Sequence, residues 1–257
     1  MRLERITWLQ AKAYFTTNDT VLLAVGSIEN HGRHLALGSD TLAPNRILEL
    51  IEESSDVLIA PTIPYGATEY FADVPGTVDL GNELLYQVLA KVCENLHRHG
   101  ARHFVILNGH GGNVKAIERV GWDLQRKGAV LACLNWWLMA WDINPAWKGG
   151  HGGGQETAGL LGIDRALVDE SQIEAPYEPY DLTPAIKANG LSTVEFRGVT
   201  INVPRLSVNV SDNGWYGPDH PRTATPEWGV NMLAASATLI ADFITEFQKA
   251  PLPAVLA

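Results

Sequence analysis

The sequence has little cysteine and no long apolar run. Cys93 and Cys133 are the two cysteines among 257 residues, and they form neither a CxxC pair nor a dense disulfide framework. We therefore expect both to be small buried apolar side chains in a reducing compartment. No run approaches the roughly 18 apolar residues of a membrane span, and the first residues contain no apolar signal region. These features predict a soluble, cytoplasmic protein that does not bind membranes.

Positive charge is also scarce. The chain has 19 Lys and Arg against 29 Asp and Glu, which gives a formal net charge of −10. Nucleic acids and anionic membranes bind clustered Lys and Arg, so we expect neither as a partner. No G-x-G-x-x-G follows the first apolar run, which argues against a dinucleotide-binding loop there. The length and the ordinary globular composition fit one domain spanning residues 1–257.

Apolar runs alternate with amphipathic stretches along the first half of the chain. Unbroken apolar runs are typical of strands that are buried on both faces of a parallel sheet. The predicted strands are 20–26, 56–61, 102–107 and 129–134. The predicted helices are 8–15, 42–53, 82–99, 114–126, one that begins at 156, and 227–248. This order predicts an α/β fold, a single three-layer α/β/α domain with a mainly parallel sheet. We predict no element order for residues 164–226.

Side chains that can bind divalent metals lie near the ends of these strands. Glu29 and His31 follow the first strand, and His110 follows the third. Sites in open parallel sheets form beyond the carboxyl ends of the strands, so we expect these side chains to converge. Asp40 has a short carboxylate that can bridge two ions, and Glu156 begins a helix. Three carboxylates and two imidazoles suit a hydrolytic site with two Zn²⁺ or Mn²⁺ ions.

Each of these residues also has a structural explanation. Asp40 could cap the helix that follows it, and Glu156 could complement a helix dipole. His110 could bind backbone groups in its glycine-rich turn, and Glu29 and His31 could be ordinary loop residues. The metal hypothesis rests on all five residues together.

Aromatic residues are dense in a predicted glycine-rich loop at 135–154. Four Trp occur within a dozen residues there, which favours pocket walls over core packing. The predicted loop at 61–81 is long for a compact domain, and such loops are often functional. The predicted substrate-binding residues are Trp136, Trp137, Trp147 and Tyr65.

The order and spacing of the motifs resemble the creatininase (creatinine amidohydrolase) family over nearly the whole chain. The matching segments are Gly26-Ser-Ile-Glu29-Asn-His31-Gly with Asp40 downstream, Pro75-Gly76-Thr77, Asn108-Gly-His110-Gly-Gly-Asn113, His151-Gly-Gly-Gly-Gln-Glu156-Thr157 and Ala224-Thr225-Pro-Glu227.

This resemblance implies a centre with two divalent ions, Zn and/or Mn, in a homo-oligomer that is often a hexamer. The implied metal ligands are Glu29, His31, Asp40, His110 and Glu156, with Asp40 as the bridge. His151 is the implied catalytic residue for proton transfer or for stabilising the tetrahedral intermediate. Glu156 can also pass the proton to the leaving group.

The chain departs from creatininase at two positions. Creatininase has Tyr and Glu directly after the histidine of its third-strand motif, where this chain has Gly111 and Gly112. The resemblance therefore implies the fold and the metal centre, but not creatinine as the substrate. We expect a small, polar, cyclic substrate whose carbonyl is attacked by a metal-activated hydroxide, with cleavage of a C–N amide bond. The alternatives are ring opening of a cyclic ketone such as a keto-inositol, deformylation of a formamide, cleavage of a peptide precursor, and ligand binding without turnover.

Overall fold

Four strands form a parallel sheet in the order β2-β1-β3-β4. The structure is a computed structural model that describes residues 1–173, 179–211 and 213–255. The strands are β1 (Thr20–Val25), β2 (Leu58–Ile63), β3 (His103–Asn108) and β4 (Val130–Asn135). The two central strands, β1 and β3, are buried along their whole length, as their unbroken apolar runs predict.

Helices cover both faces of this sheet. They are α1 (Trp8–Thr17), α2 (Ser39–Glu52), α3 (Gly81–Arg98), α4 (Val114–Arg126), α5 (Trp136–Ile143), α6 (Gly154–Leu161) and α7 (Pro226–Phe247). Helices α1, α3 and α4 pack on one face with Leu23 of β1, and α2, α5 and α7 pack on the other with Leu22. Successive strand residues thus enter opposite cores. The predicted α/β/α layering is confirmed.

Two parts of the chain differ from the sequence prediction. Residues 136–143, predicted as loop, form α5, because Trp136 and Ala140 lie four residues apart and bury the same side of a helix. The stretch without predicted elements contains a small antiparallel sheet, which we call the outer sheet. Its strands are β5 (Lys187–Ala188), β6 (Thr193–Phe196) and β7 (Val199–Asn202). The turn between β6 and β7 has positive φ at Arg197 (54°) and Gly198 (79°), which suits a tight hairpin.

Helix α7 is long and apolar enough, by length and composition, to cross a membrane. Its buried residues include Met232, Leu233, Ile240 and Ile244, which pack in the core shared with α2 and α5. This packing accounts for the apolar composition of the helix.

The carboxyl ends of three strands are level with one another. Val25 at the end of β1 pairs with Asn108 at the end of β3, and Asn108 pairs with Asn135 at the end of β4. The segments that follow these strands therefore leave the sheet at one edge, which we call the sheet edge.

Candidate metal centre and cavity

Six predicted site residues meet at the sheet edge. Two follow β1, one lies in the first turn of α2, one follows β3, and two lie at or just before the start of α6. In chain order they are Glu29, His31, Asp40, His110, His151 and Glu156. The first three are almost completely buried, so their positions are fixed by packing.

Asp40 lies between two histidines. Its Oδ1 is 3.0 Å from Nε2 of His31, and its Oδ2 is 3.0 Å from Nδ1 of His110. Glu29 Oε1 is also 3.0 Å from His110 Nδ1, and Glu156 Oε2 is 3.6 Å from His31 Nε2. Two groups of possible metal ligands share Asp40, Glu29–Asp40–His110 and His31–Asp40–Glu156, each with its ligand atoms within 4.8 Å of one another. A third group that meets the same distance is Glu29–His31–His151.

Backbone carbonyls determine which ring nitrogen of each histidine faces the carboxylates. Nδ1 of His31 lies 3.2 Å from the carbonyl oxygen of Glu29, and Nε2 of His110 lies 3.1 Å from that of Ala67. A carbonyl oxygen only accepts hydrogen bonds, so these two nitrogens bear protons. The other nitrogen of each ring points at the carboxylates. Histidines that bind metals usually have such a backbone partner.

Two buried carboxylate oxygens in this cluster have one neighbouring polar group between them. They are Oε1 of Glu29 and Oδ2 of Asp40, and both lie 3.0 Å from Nδ1 of His110. One ring nitrogen cannot fully satisfy two buried acceptors, and an acceptor without a partner costs about 1–3 kcal/mol, so a bound cation would stabilise both. Carboxylate and imidazole donors suit Zn²⁺ and Mn²⁺. These residues therefore fit a divalent metal.

The carboxylates and histidines shift one another's pKa values. Burial lowers the pKa of His31, but the carboxylates of Asp40 and Glu156 outweigh burial and raise it to about 10. Burial opposes the rise at His110 too, yet its pKa lies well above the usual value. Burial raises the pKa of Asp40, but the two histidines bring it well below its usual range. Without a metal, imidazolium protons therefore balance the carboxylates at neutral pH.

His151 lies beside the cluster in a different protonation state. Its Nε2 is 2.7 Å from the carbonyl oxygen of Asn30 and donates to it, while its Nδ1 faces Glu29 Oε1 at 3.9 Å. The ring stacks between His31 (4.2 Å between centroids) and Phe71 (4.4 Å). Burial and the nearby His31 bring the pKa of His151 well below its usual value. A neutral imidazole with a free nitrogen can accept a proton from a reacting group.

Glu156 is a candidate metal ligand whose carboxyl has a raised pKa. Burial raises the pKa of its carboxyl to about 7. Its Oε2 accepts a hydrogen bond from the backbone N–H of Gly152 at 2.6 Å. The carboxyl can therefore exchange a proton near neutral pH, and its oxygens can also serve as metal ligands.

A cavity of about 820 Å³ opens on these residues. Its lining includes Asp40 and His110 from the centre, Trp137 and Trp141 from α5, and the short turn Glu69–Phe71. The segments before β6 and after β7 complete the wall. This volume is typical of a small-molecule site.

The structure places the four predicted substrate-binding residues in different surroundings. Trp137 lines the cavity, but Trp136, Trp147 and Tyr65 are not among the described residues of its wall. Trp136 is 1% exposed because its ring packs in the core with α7, and Trp147 packs against the same core. Tyr65 is 44% exposed. The structure thus places Trp137 and Trp141 in this wall, and the substrate-binding role of the other three residues stays a prediction.

Two asparagines that sequence reasoning left without a role hold the loop of His110. Asn108 donates to the carbonyl oxygen of His110 (2.8 Å) and accepts from its N–H (3.2 Å). Asn113 donates to the carbonyl oxygen of Gly26 (3.0 Å) and accepts from the N–H of Ala67 (2.9 Å). The motif contains both residues, but their partners come together only in the folded chain.

The beginning of α6 is held in a similar way by residues without a predicted role. The N–H of Gln155 donates to Asp219 Oδ2 (2.8 Å), and Oε1 of Gln155 accepts from the indole of Trp141 (2.6 Å). These contacts tie the segment of His151 and Glu156 to α5 and to the segment before α7.

Position 112 has no room for a side chain on this backbone. A Cβ at Gly112 would overlap the carbonyl oxygen of Ala67 and approach the ring of His110. A Cβ at Gly111 would meet only Trp137, at 3.9 Å. A metal ligand therefore cannot be placed at position 112 without a backbone shift, whereas position 111 can accept a side chain.

The fold and the donor groups together define a metal-binding α/β/α protein. The family model described as Creatininase: Creatinine amidohydrolase matches residues 4–244. The chain belongs to the creatininase family, and it is a metal-dependent hydrolase.

Similar proteins include relatives of different named activity. Creatinine amidohydrolase of Pseudomonas putida is 28% identical over 212 residues, which cover 70% of this chain and 79% of that protein. Mycofactocin precursor peptide peptidase of Mycolicibacterium smegmatis is 28% identical over 236 residues, which cover 89% and 85%. A solved mutant creatininase of the Zn-Zn type matches with a TM-score of 0.72 at 25% identity, and the match covers 97% of this chain and 98% of that one.

Proposed function

We propose that this protein is a creatininase-family amidohydrolase that uses two divalent ions, Zn and/or Mn, to hydrolyse the C–N bond of a small, polar, cyclic substrate. The observation that supports this most is the position of Asp40, whose two oxygens each lie 3.0 Å from a different histidine. A carboxylate placed in this way can bridge two ions.

Five proposed metal ligands would hold the two ions. Glu29 and His110 would hold one ion, His31 and Glu156 would hold the other, and Asp40 would bind both. When bound, the two ions lower the pKa of a water molecule and polarise a carbonyl group. Ser27 donates to Oε2 of Glu29 at 2.7 Å, which leaves Oε1 free for the metal.

His151 and Glu156 are the proposed proton carriers. Nδ1 of His151 takes up a proton at the reacting centre and delivers one to the leaving nitrogen. Phe71 stacks on the ring, and burial keeps the imidazole neutral before it takes up the proton. Glu156 is the second proposed group for passing this proton to the leaving nitrogen.

The metal content of protein purified without a chelator tests the centre. We expect about two equivalents of Zn or Mn per chain. About one equivalent would replace the two-ion centre by a single-metal hydrolase. Protein that contains no metal and takes up neither ion would contradict the proposal.

A substrate panel tests the bond that is cleaved. It contains cyclic amides, formamides, short peptides and keto-inositols, and we expect turnover of a cyclic amide. Turnover of a keto-inositol alone would show ring opening of a ketone, and turnover of a formamide or a peptide alone would assign those reactions. A metal-loaded protein that binds members of the panel without turnover would be a binding protein.

Three further parts of the proposal come from the resemblance and the composition alone. They are the single domain over residues 1–257, the cytoplasmic location, and assembly as a homo-oligomer, specifically a hexamer. Light scattering on purified protein measures the assembly directly, and a monomer would contradict it.

A further inference from the structure

Arg205 provides a cation in the cavity wall outside the metal centre. It follows the outer sheet and lines the cavity that contains Asp40 and His110. Its Nη1 donates to the carbonyl oxygens of Tyr180 (2.8 Å) and Asn209 (3.3 Å). These two bonds fix the guanidinium in one orientation.

The other edge of the same guanidinium has no hydrogen-bond partner among the residues that the structure describes. Nε and Nη2 of Arg205 are buried, and neither donates a hydrogen bond in the described parts of the chain. These two nitrogens form the side edge of the guanidinium, which donates two parallel hydrogen bonds to one carboxylate. Nη1 of Arg205 therefore holds the side chain in place, and Nε and Nη2 are left to bind a ligand.

A second buried polar group without a partner among the described residues lines the same cavity. The hydroxyl of Tyr70 is buried and makes no hydrogen bond with the described residues. Burial raises the pKa of this phenol to about 12, and the Arg205 cation acts in the opposite direction. The turn of Tyr70, Glu69–Phe71, also contacts the short turn Ser207–Asn209 that follows Arg205. The wall of this cavity therefore contains three buried donor atoms without described partners, on two neighbouring parts of the chain.

Ring contacts connect this place to the metal centre. Tyr70 packs edge-on against Phe71 with 4.7 Å between centroids, and Phe71 stacks on His151 at 4.4 Å. His151 in turn stacks on the metal-ligand candidate His31 at 4.2 Å. Arg205 and the metal centre therefore lie at two positions on the wall of one cavity, as parts of a single substrate would require.

We propose that the substrate has a carboxylate in addition to the amide that is cleaved, and that Nε and Nη2 of Arg205 bind this carboxylate with the Tyr70 hydroxyl beside them. The proposal rests on the proposed function, because it assigns one end of the substrate to the metal centre. Both nitrogens are buried, so a neighbouring side chain must shift when the carboxylate binds.

Binding of small hydroxamates to the Zn-loaded protein tests this proposal. A hydroxamate chelates zinc, and the monohydroxamates of succinate, glutarate and adipate place a carboxylate at three distances from it. Each is compared with the neutral analogue in which a primary amide replaces the carboxylate. We expect at least one carboxylate probe to bind at least about tenfold more tightly than its analogue. Arg205→Gln should remove this preference and leave binding of the neutral analogue unchanged.

Two further variants control for charge and folding. Arg197→Gln removes one positive charge from the β6–β7 turn, which is outside the described cavity lining, and should keep the full preference. Arg205→Lys keeps the charge and a donor for the backbone carbonyls but lacks the paired edge. It should fold normally and reduce the preference severalfold.

Several results would overturn the proposal. They are equal binding of both probe types to the wild type, a preference that survives Arg205→Gln, and an Arg205→Lys variant identical to the wild type. A changed oligomeric state in Arg205→Gln would show that Arg205 binds a second copy of the chain instead. If the neutral hydroxamates also fail to bind, the proposed metal centre is refuted. The proposed function then fails together with this inference.

Discussion

The two sides of the cavity are built in different ways. At the sheet edge, Glu29 and His31 have no exposed surface, and they follow a six-residue strand that is buried throughout. The outer sheet has strands of two to four residues, and Val199 and Ile201 of β7 are 60% and 43% exposed. One side is part of the core of the domain, and the other covers the cavity from the surface.

The contrast between the buried sheet edge and the exposed outer sheet corresponds to two different requirements of an enzyme. Groups that act on the reacting atoms must be held in place before the substrate binds, which burial and hydrogen bonds achieve. Groups that select the substrate can lie on elements that change without loss of the core. We infer that the sheet edge determines the reaction and that the outer sheet helps to determine the substrate.

The largest effect is expected for Asp40→Ala, which removes the carboxylate shared by both donor groups. The protein should stay folded, lose paired metal binding, and lose at least about 10³-fold in hydrolysis. Metal analysis and circular dichroism check this result. Asp242→Ala is the matched control, because Asp242 is an exposed carboxylate on α7. A variant with two ions and near-full activity would refute the bridge.

His151→Ala should keep both ions and lower turnover by about 10²–10⁴-fold, the range for a missing general acid–base group. Metal analysis and kcat measured on the same preparation separate the two effects. His99→Ala removes an exposed histidine after α3 and should leave both quantities unchanged. If His151→Ala loses metal, His151 is a ligand and its proposed role is wrong.

Metal affinity should rise with pH between about 6 and 8. The carboxylates raise the pKa of His31 to about 10, so this ring is protonated in the metal-free protein and must lose a proton to bind an ion. Affinity then increases by about tenfold per pH unit for each proton displaced. Titration calorimetry in buffers of different ionisation enthalpy measures the released protons. An affinity that does not change over this range would contradict the protonated cluster.

A smaller effect is expected for Trp137→Ala in the cavity wall. KM should rise by about tenfold because an aromatic contact is lost, while metal content stays the same. Trp122→Ala serves as the control, since Trp122 is 59% exposed on α4. Steady-state kinetics on the substrate found in the panel check both variants. Equal KM values in the two variants would remove Trp137 from the substrate site.

Much of the parallel-sheet half could be predicted from the sequence. Strands buried on both faces consist of unbroken apolar runs, and the predicted ranges lie within two residues of β1 to β4. Because parallel strands end at one edge, the positions of Glu29 and His110 in the sequence were enough to predict that they meet. Their roles as metal ligands stay predictions until metal is measured.

The outer sheet could not be predicted in the same way. Its strands are too short and too exposed to show a periodic apolar pattern, and its tight turn has Arg197 rather than Asn at a positive φ. Arg205 and Tyr70 could not be predicted as site residues from the sequence either. Their unpaired donors are visible only after the chain has folded and the other hydrogen bonds are assigned.

The packed glycine at position 112 limits how this enzyme can change by mutation. A substitution that introduced a carboxylate there would first push against the Ala67 carbonyl, which is also the partner that orients His110. The first step on such a path would disturb His110, a proposed metal ligand, before it supplied a new ligand. Exchange between glycine and a ligand at this position therefore requires coordinated changes in two loops. A Cβ at position 111 would make only an ordinary contact with Trp137, so single substitutions there can alter the cavity without this barrier.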